Sequence, residues 1–363
     1  MTDNNFTDTI PLPFLEQTDD SHYTKVIAGP CSAESETQVL DTARALSKLG
    51  IKVFRAGLWK PRSNPRTFEG VGIAGLPWLQ RVKQETGMLI ATEVANREHV
   101  EVALKAGVDV LWIGARTSTN PFAVQEIADS LRNCEDATVL VKNPVTPDIE
   151  LWIGALERVY NAGVRKIGAI HRGFTTYGNH LYRNMPEWRI AIEMKRRFPS
   201  LPILCDPSHM GGRRIHVPTL SQQALDMGFD GLFIESHCNP SVALSDAEQQ
   251  LSPGELEELL NSLIVRHTTQ STDSIDALRM AIDECDDELV ELLNRRMRIS
   301  REIGMYKKEH DLQVVQTNRF DEILNKRMTQ AQSLGMSPRF MKSVMSEIHE
   351  ESVRQQIEIL NSK

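Results

Sequence analysis

The chain is poor in cysteine, in long apolar runs and in net positive charge, and each shortage removes a class of protein. Its five cysteines, Cys31, Cys134, Cys205, Cys238 and Cys285, lie far apart and form no CxxC pair. No disulfide framework is therefore expected, and the reading is a reduced, cytoplasmic protein. No apolar run approaches the roughly 20 residues that span a bilayer. Met1 to Pro13 are polar and acidic, without the basic and apolar regions of a secretory leader. The net charge is −8, with both signs spread along the chain. That argues against a general nucleic-acid surface, so a cluster of positive residues is read as a local site. What remains is an ordinary soluble composition, 40% apolar and 25% charged, in 363 residues, a length that suits two domains.

Residues 1–24 are rich in Asp, Asn and Thr and read as a tail or short arm. A unit then recurs. Short β-branched runs at Lys25–Ala28, Lys52–Arg55, Met88–Glu93, Asp109–Gly114, Thr138–Lys142, Lys166–His171, Pro202–Asp206 and Gly231–Glu235 alternate with segments of helical apolar spacing. Several helices stop at a glycine just before the next strand, at Gly50, Gly107, Gly163 and Gly228. Eight near-continuous apolar strands alternating with helices predict a parallel sheet covered on its outside. Over residues 25–265 a closed (β/α)8 TIM barrel fits better than the alternative, an open doubly wound sheet. Residues 266–273 are polar and aperiodic, a linker. From Ser274 to residue 363 the chain reads as a separate all-α domain of three helices. The first has an apolar seam at alternating steps of three and four from Ile275 to Tyr306. A shorter helix begins near Asn318, and a third at Ser337-Pro338, a cap followed by proline at the first helical position. Such unequal lengths predict an intertwined homodimer, or a higher homo-oligomer built through this part.

In such barrels chemistry sits where the strands end. Those ends carry Cys31, Arg55, Glu93, Arg116, Lys142, Arg172, His209 and Glu235. Arg55, Lys60, Arg62, Arg116, Lys142 and Arg172 bring six positive charges to one mouth, which predicts small, multiply anionic substrates unless each pairs with an acid. Cys31, His209 and Glu235, with Asp246 as a further candidate, form a mixed thiolate, imidazole and carboxylate set. It suits one divalent transition metal, Mn, Fe, Co or Zn, that polarises a carbonyl oxygen. Taken singly, Cys31 reads as a small buried hydrophobe and His209 as a bonded loop histidine. Their placement on the first, seventh and eighth strands, neighbours around a closed barrel, favours the metal.

The stretches Ala28-Gly29-Pro30-Cys31-Ser32, Phe54-Arg55-Ala56-Gly57, Lys60-Pro61-Arg62-Ser63, Ile113-Gly114-Ala115-Arg116-Thr117, His171-Arg172-Gly173, Asp206-Pro207-Ser208-His209 and Ile234-Glu235-Ser236-His237 resemble 3-deoxy-D-arabino-heptulosonate 7-phosphate (DAHP) synthase, type I, beta subgroup. The resemblance implies condensation of phosphoenolpyruvate with erythrose 4-phosphate and release of phosphate. It implies that Cys31, His209, Glu235 and Asp246 bind the metal. Arg55, Lys60, Arg116, Lys142 and Arg172 then hold phosphoenolpyruvate. Arg62 and Ser63 take the aldose phosphate, Asp206 lies near its hydroxyls, and Glu93 positions water or moves a proton. The competing family is 3-deoxy-manno-octulosonate 8-phosphate synthase, which typically shows Lys-Ala-Asn-Arg-Ser where this chain has Lys60-Pro61-Arg62-Ser63.

In the first helix of the C-terminal part the seam predicts an apolar residue at position 296, where the chain has Arg296. A charge there is costly unless paired, so a buried anion site is expected. Flank salt bridges explain Arg279 and Lys307 more easily. The segment resembles the all-helical chorismate mutase class through Ile275-Asp276-Ala277-Leu278-Arg279, Leu292-Leu293-Asn294-Arg295-Arg296, Ile303-Gly304-Met305-Tyr306-Lys307, Arg319 and Glu351-Ser352-Val353-Arg354-Gln355-Gln356. By resemblance, Arg279 from the partner chain, Arg296 and Arg319 grip the carboxylates of chorismate, Ser352 joins the binding set, and Lys307 and Gln356 donate to the ether oxygen. Where many members carry an Asp and a Glu, this chain has Gln316 and Phe320. The alternatives are a purely regulatory module that senses chorismate or prephenate for the barrel, and a plain dimerisation coil.

Overall fold

The computed structural model describes residues 6, 8–12, 14–15, 25–61, 66–132, 134, 136–178, 181–266, 273–314 and 317–362. The chain forms two compact units, Met1–Thr268 and Thr269–Lys363. In the first, eight parallel strands close on themselves in sequence order: β1 Val26–Gly29, β2 Val53–Arg55, β3 Leu89–Val94, β4 Val110–Ile113, β5 Thr138–Lys142, β6 Lys166–His171, β7 Ile203–Cys205 and β8 Gly231–Glu235. The closing pair sets Val26 against Leu232 and Gly29 against Glu235. The helices are α1 Glu36–Lys48, α2 Leu76–Thr86, α3 Arg97–Lys105, α4 Pro121–Ser130, α5 Ile149–Asn161, α6 Trp188–Arg197, α7 Pro207–Gly211, α8 Val217–Asp226 and α9 Pro253–Ser262. This is the closed barrel expected rather than an open sheet. Gly50, Gly107, Gly163 and Gly228 all take positive φ, the left-handed stop that a side chain resists.

Alternation along each strand separates two cores. Val26 and Ala28 face the helix layer, whereas Ile27 joins Val53, Ala91, Val110, Leu140 and Phe233 inside the barrel. The segment read as a tail takes part in both. Leu12 and Phe14 pack in the inner cluster, and the Ile10 amide donates to Arg165 O just before β6. Phe6 stands edge-on to Tyr160 and Phe198 at 5.2 and 5.0 Å. These residues floor the barrel beneath the start of its strands, opposite the mouth.

The second unit is helical: α10 Asp273–Glu309, α11 Thr317–Ser333 and α12 Pro338–Asn361. Ser337 caps α12 by accepting from the Phe340 amide, with Pro338 at the first helical position. The 37 residues of α10 leave much of its seam in water, with Leu278, Ile282, Leu289 and Leu292 exposed by 52–67%.

Candidate active site

Period-two alternation carries the inner face of each strand straight into the mouth. Val53 leads to Arg55, Ala91 to Glu93, Leu140 to Lys142, Ile170 to Arg172, Leu204 to Asp206 and Phe233 to Glu235. Arg55 is fully buried between two aromatic faces, its guanidinium carbon 4.9 Å from the Trp112 ring and 4.3 Å from the Phe233 ring. Its Nη2 donates to Glu235 Oε1 at 3.2 Å, while Nε and Nη1 are buried without a hydrogen-bond partner. Lys142, also buried, donates to Asp206 Oδ2 at 2.7 Å. Among the five of these cations that are described, pairing with acids accounts for two, Arg55 and Lys142, and even there leaves donors on Arg55 unmet. Lys60 Nζ stands 3.0 Å from Cys31 Sγ, and Arg172 donates to Asn184 Oδ1 at 3.0 Å. Arg116 is exposed and lines the same cavity with Lys60, Lys142 and Arg172. Arg62 and Ser63 lie outside the described residues.

Cys31, His209, Glu235 and Asp246 converge, each offering one donor atom, with those atoms all within 4.8 Å of one another. Asp206 caps α7 by accepting from the His209 amide at 3.0 Å, and its Oδ2 lies 2.8 Å from His209 Nδ1. That leaves His209 Nε2, 3.7 Å from Glu235 Oε1, turned toward the cluster. A histidine backed by a carboxylate on its far nitrogen is a common arrangement around metals. Burial works against ionisation of Asp206, yet His209 and Lys142 hold its carboxyl well below the carboxylate range. Burial, and then the Glu235 carboxylate, push the Cys31 thiol far above its ordinary value. Such a thiol is a poor nucleophile and ionises only against a strong cation. Asp246 takes a positive φ of 48°, a conformation rare outside glycine, which presents Oδ2 to Cys31 Sγ at 3.2 Å. One sulfur, one imidazole nitrogen and two carboxylates fit a divalent transition ion.

Glu93 Oε2 accepts from Trp112 Nε1 at 3.1 Å. A Cβ on Gly114 would lie 2.1 Å from Glu93 Oε1, so the glycine of the Ile113-Gly114-Ala115-Arg116 stretch makes room for this carboxylate. Sequence reasoning missed Arg183, Asn184 and Gln249. Arg183 Nη1 donates to Asp246 Oδ1 and Gln249 Oε1 at 2.9 and 3.0 Å, and Gln249 Nε2 donates to Glu235 Oε2 at 2.7 Å. They sit on irregular loops, where no periodicity marks a residue's direction.

The helical unit has its own cavity, lined in part by Arg296, Lys307, Phe320, His349, Ser352 and Gln356. Arg296 Nη1 donates to Ser352 Oγ at 2.6 Å and is paired with no acid among the described residues. Burial lowers the pKa of its guanidinium. Lys307 Nζ donates to Gln356 Oε1 at 3.1 Å and Val314 O at 2.6 Å. Arg279 is exposed, pairs with Asp276 at 3.1 Å and does not line this cavity. Arg319 lies on α11 with its side chain outside the described set, as does Gln316 altogether.

A family model described as "DAHP synthetase I family" matches residues 17–272, and one described as "Chorismate mutase type II" matches residues 278–357. The chain is 36% identical over 241 residues to "Phospho-2-dehydro-3-deoxyheptonate aldolase" of Thermotoga maritima, spanning 66% of this chain and 69% of that protein. It is 31% identical over 261 residues to "2-dehydro-3-deoxyphosphooctonate aldolase" of Variovorax paradoxus, spanning 66% of this chain and 88% of that one. Among solved structures, the truncated 3-deoxy-D-arabino-heptulosonate 7-phosphate synthase of Thermotoga maritima superposes with a TM-score of 0.57 at 32% identity, covering 65% of this chain and 84% of that one. The chain belongs to the DAHP synthetase I family and carries a chorismate mutase type II domain at its C-terminal end.

Proposed function

We propose that, in this bifunctional shikimate-pathway enzyme, residues 25–265 condense phosphoenolpyruvate with erythrose 4-phosphate to DAHP and phosphate. Residues 274–363 rearrange chorismate to prephenate, and residues 266–273 link the two. The observation that carries the first assignment is the cavity lined by Lys60, Arg116, Lys142 and Arg172, together with Arg55, which is buried against Glu235 outside that lining with two donors unmet. Leaving such donors unmet is costly, and the phosphate and carboxylate of phosphoenolpyruvate would meet them. Cys31, His209, Glu235 and Asp246 would hold Mn, Fe, Co or Zn, which when bound supplies Lewis-acid polarisation of a carbonyl oxygen. Glu93, fixed by Trp112, positions the water that adds at C2 of phosphoenolpyruvate or takes up the proton that this water releases. Asp206 orients the aldose hydroxyls, and Arg62 with Ser63 takes its phosphate. No covalent nucleophile is needed. The barrel reading is tested by assaying erythrose 4-phosphate beside arabinose 5-phosphate. Preference for the former is expected, and turnover of the latter alone overturns it.

In the helical unit the half-buried Arg296, bonded to Ser352 and without an acid partner among the described residues, supports a site for a dicarboxylate. Lys307 and Gln356 donate to the ether oxygen of chorismate as charge develops there, and the rearrangement needs only a bound conformer and fixed donors. Arg319 and the partner chain's copy of Arg279 complete the grip. The exposed seam of α10 supports burial against a second copy, making the protein at least a homodimer. Chorismate or prephenate bound here inhibits the barrel, a reading supported by the fusion of an early enzyme with the binder of a later metabolite. Among the described residues no helix is long and apolar enough to cross a membrane. We assign the enzyme to the cytoplasm, where a thiol ligand stays reduced.

A further inference from the structure

Two adjacent residues of the loop between β6 and α6 touch both halves of the barrel site. Asn184 is buried, and three hydrogen bonds hold its side chain. Its Oδ1 accepts from Arg172 Nη1 and from Thr175 Oγ1, both at 3.0 Å, and its Nδ2 donates to the backbone carbonyl of His209 at 2.6 Å. The Asn184 amide adds a bond to Met210 O at 3.0 Å. One amide side chain therefore joins an arginine of the anion cradle to the turn that carries a metal-ligand candidate.

Arg183 reaches the other ligands. Its Nη1 holds Asp246 Oδ1 at 2.9 Å and Gln249 Oε1 at 3.0 Å, and Gln249, fully buried, passes the contact on to Glu235 Oε2 at 2.7 Å. Arg183 thus fixes one oxygen of Asp246 directly and one of Glu235 through an amide, leaving the other oxygen of each carboxylate for the cluster. The fold makes room for this crossing with two glycines in the left-handed region. A Cβ on Gly212 (φ +68°) would lie 2.5 Å from Arg183 Cβ, and one on Gly173 (φ +76°) would lie 2.8 Å from Asn184 O.

We propose that Arg183 and Asn184 are positioning residues that bridge the anion cradle and the metal ligands, so that a divalent ion and phosphoenolpyruvate each strengthen binding of the other. The inference rests on the metal reading above. Arg172, drawn to an anion, pulls on Asn184 and so on the His209 turn, while Arg183 keeps both carboxylates aimed. Partners that orient ligands in this way typically contribute ~10–100-fold in metal affinity. Coupling between two sites is reciprocal and typically falls in the range of ~5–150-fold.

The test is binding, without turnover, on the full-length protein. Mn(II) is titrated by calorimetry or by its free-ion electron paramagnetic resonance signal, with and without saturating phosphoenolpyruvate. Phosphoenolpyruvate is then titrated with and without Mn(II). In the wild type each is expected to tighten the other by at least ~5-fold. Arg183→Met is expected to weaken Mn(II) binding to the phosphoenolpyruvate-free protein by ~10–100-fold, a larger loss than in phosphoenolpyruvate binding to the metal-free protein, where Arg183 is one of several cations lining the cavity. Arg183→Lys restores part of the loss. Asn184→Ala is expected to bring the coupling to about one. Because Asn184 is buried and Arg183 lies at the surface of the site, the Arg183 variants keep the test decisive if Asn184→Ala misfolds. Wild-type Mn(II) affinity in Arg183→Met, or a wild-type coupling of one, overturns the bridge. A wild-type protein that binds no divalent ion refutes the metal reading itself.

Discussion

Replacing Arg55 by Met separates binding from stability, because the arginine serves one at the expense of the other. Methionine fills similar space between Trp112 and Phe233 and makes favourable sulfur–aromatic contacts. In the ligand-free protein the change removes two buried donors without partners, a relief of ~1–3 kcal/mol each. Against that, it breaks the buried Arg55–Glu235 pair, at a cost of ~3–5 kcal/mol. Glu235 keeps the 2.7 Å bond from Gln249, which limits the loss. The terms offset to within about 3 kcal/mol, so the melting temperature of the ligand-free variant shifts by roughly 10 degrees at most. Binding is a different matter. Two charge-assisted hydrogen bonds to the anion, at ~1.5–3 kcal/mol each, amount to ~10²–10⁴-fold in Kd at 1.4 kcal/mol per decade. Calorimetric titration with phosphoenolpyruvate measures this directly. As a second readout, ligand at 100 times its Kd adds about 2.7 kcal/mol to the stability of the wild type, and the variant at the same concentration gains almost nothing. Binding within threefold of wild type would refute the assignment of Arg55 and, with it, the argument from unmet donors.

Gly114→Ala forces the Glu93 carboxylate back by about 1 Å from the 2.1 Å approach of the new Cβ, and displacements of that size cost ~10²-fold in rate. Steady-state kinetics should show kcat falling by that order with phosphoenolpyruvate affinity retained, and an unchanged kcat removes Glu93 from the reaction. His171 is buried among aromatic rings with Nε2 2.6 Å from Pro186 O, and burial takes its pKa from 6.5 to about 3. The unfolded chain therefore binds a proton that the folded one refuses between those values. Stability is complete above pH 6.5 and is lost as pH falls toward 3, by on the order of 5 kcal/mol at most. Denaturant titrations of His171→Phe should show a flatter decline between pH 6.5 and 4 than the wild type, and parallel declines contradict this. Arg296→Met should lower chorismate turnover by at least ~10²-fold and abolish inhibition of DAHP formation by prephenate. Retained inhibition separates the regulatory site from the Arg296 cavity.

Much of the barrel site was legible because a strand has a period of two. Once Ile27, Val53 or Phe233 is placed inside, the residues that continue the inner face are fixed, and they are Arg55, Glu93, Lys142 and Glu235. What pairs with them was not legible. The Lys142–Asp206 and Arg55–Glu235 contacts span 64 and 180 residues and depend on how the closed barrel brings distant strands together. Arg183 was invisible for a related reason, since an irregular loop gives no rule for where a side chain goes, and its partner Asp246 lies 63 residues away. The floor formed by Leu12 and Phe14 was read as a tail because its composition is polar and two apolar residues make no pattern. In the helical unit one misplaced charge, Arg296, marked the cavity, whereas the stacking of Phe320 on His349 at 4.0 Å beside it left no trace in the spacing.

If the barrel mouth joins phosphoenolpyruvate to erythrose 4-phosphate with a metal held by Cys31, His209, Glu235 and Asp246, DAHP formation depends on that ion, and the measurement is turnover in protein stripped with a chelator and then given back a single divalent ion. Activity is predicted to vanish on stripping, to return with Mn, Fe, Co or Zn, and to stay absent with any of them in Cys31→Ala. Full turnover in the presence of chelator would mean that the barrel needs no metal.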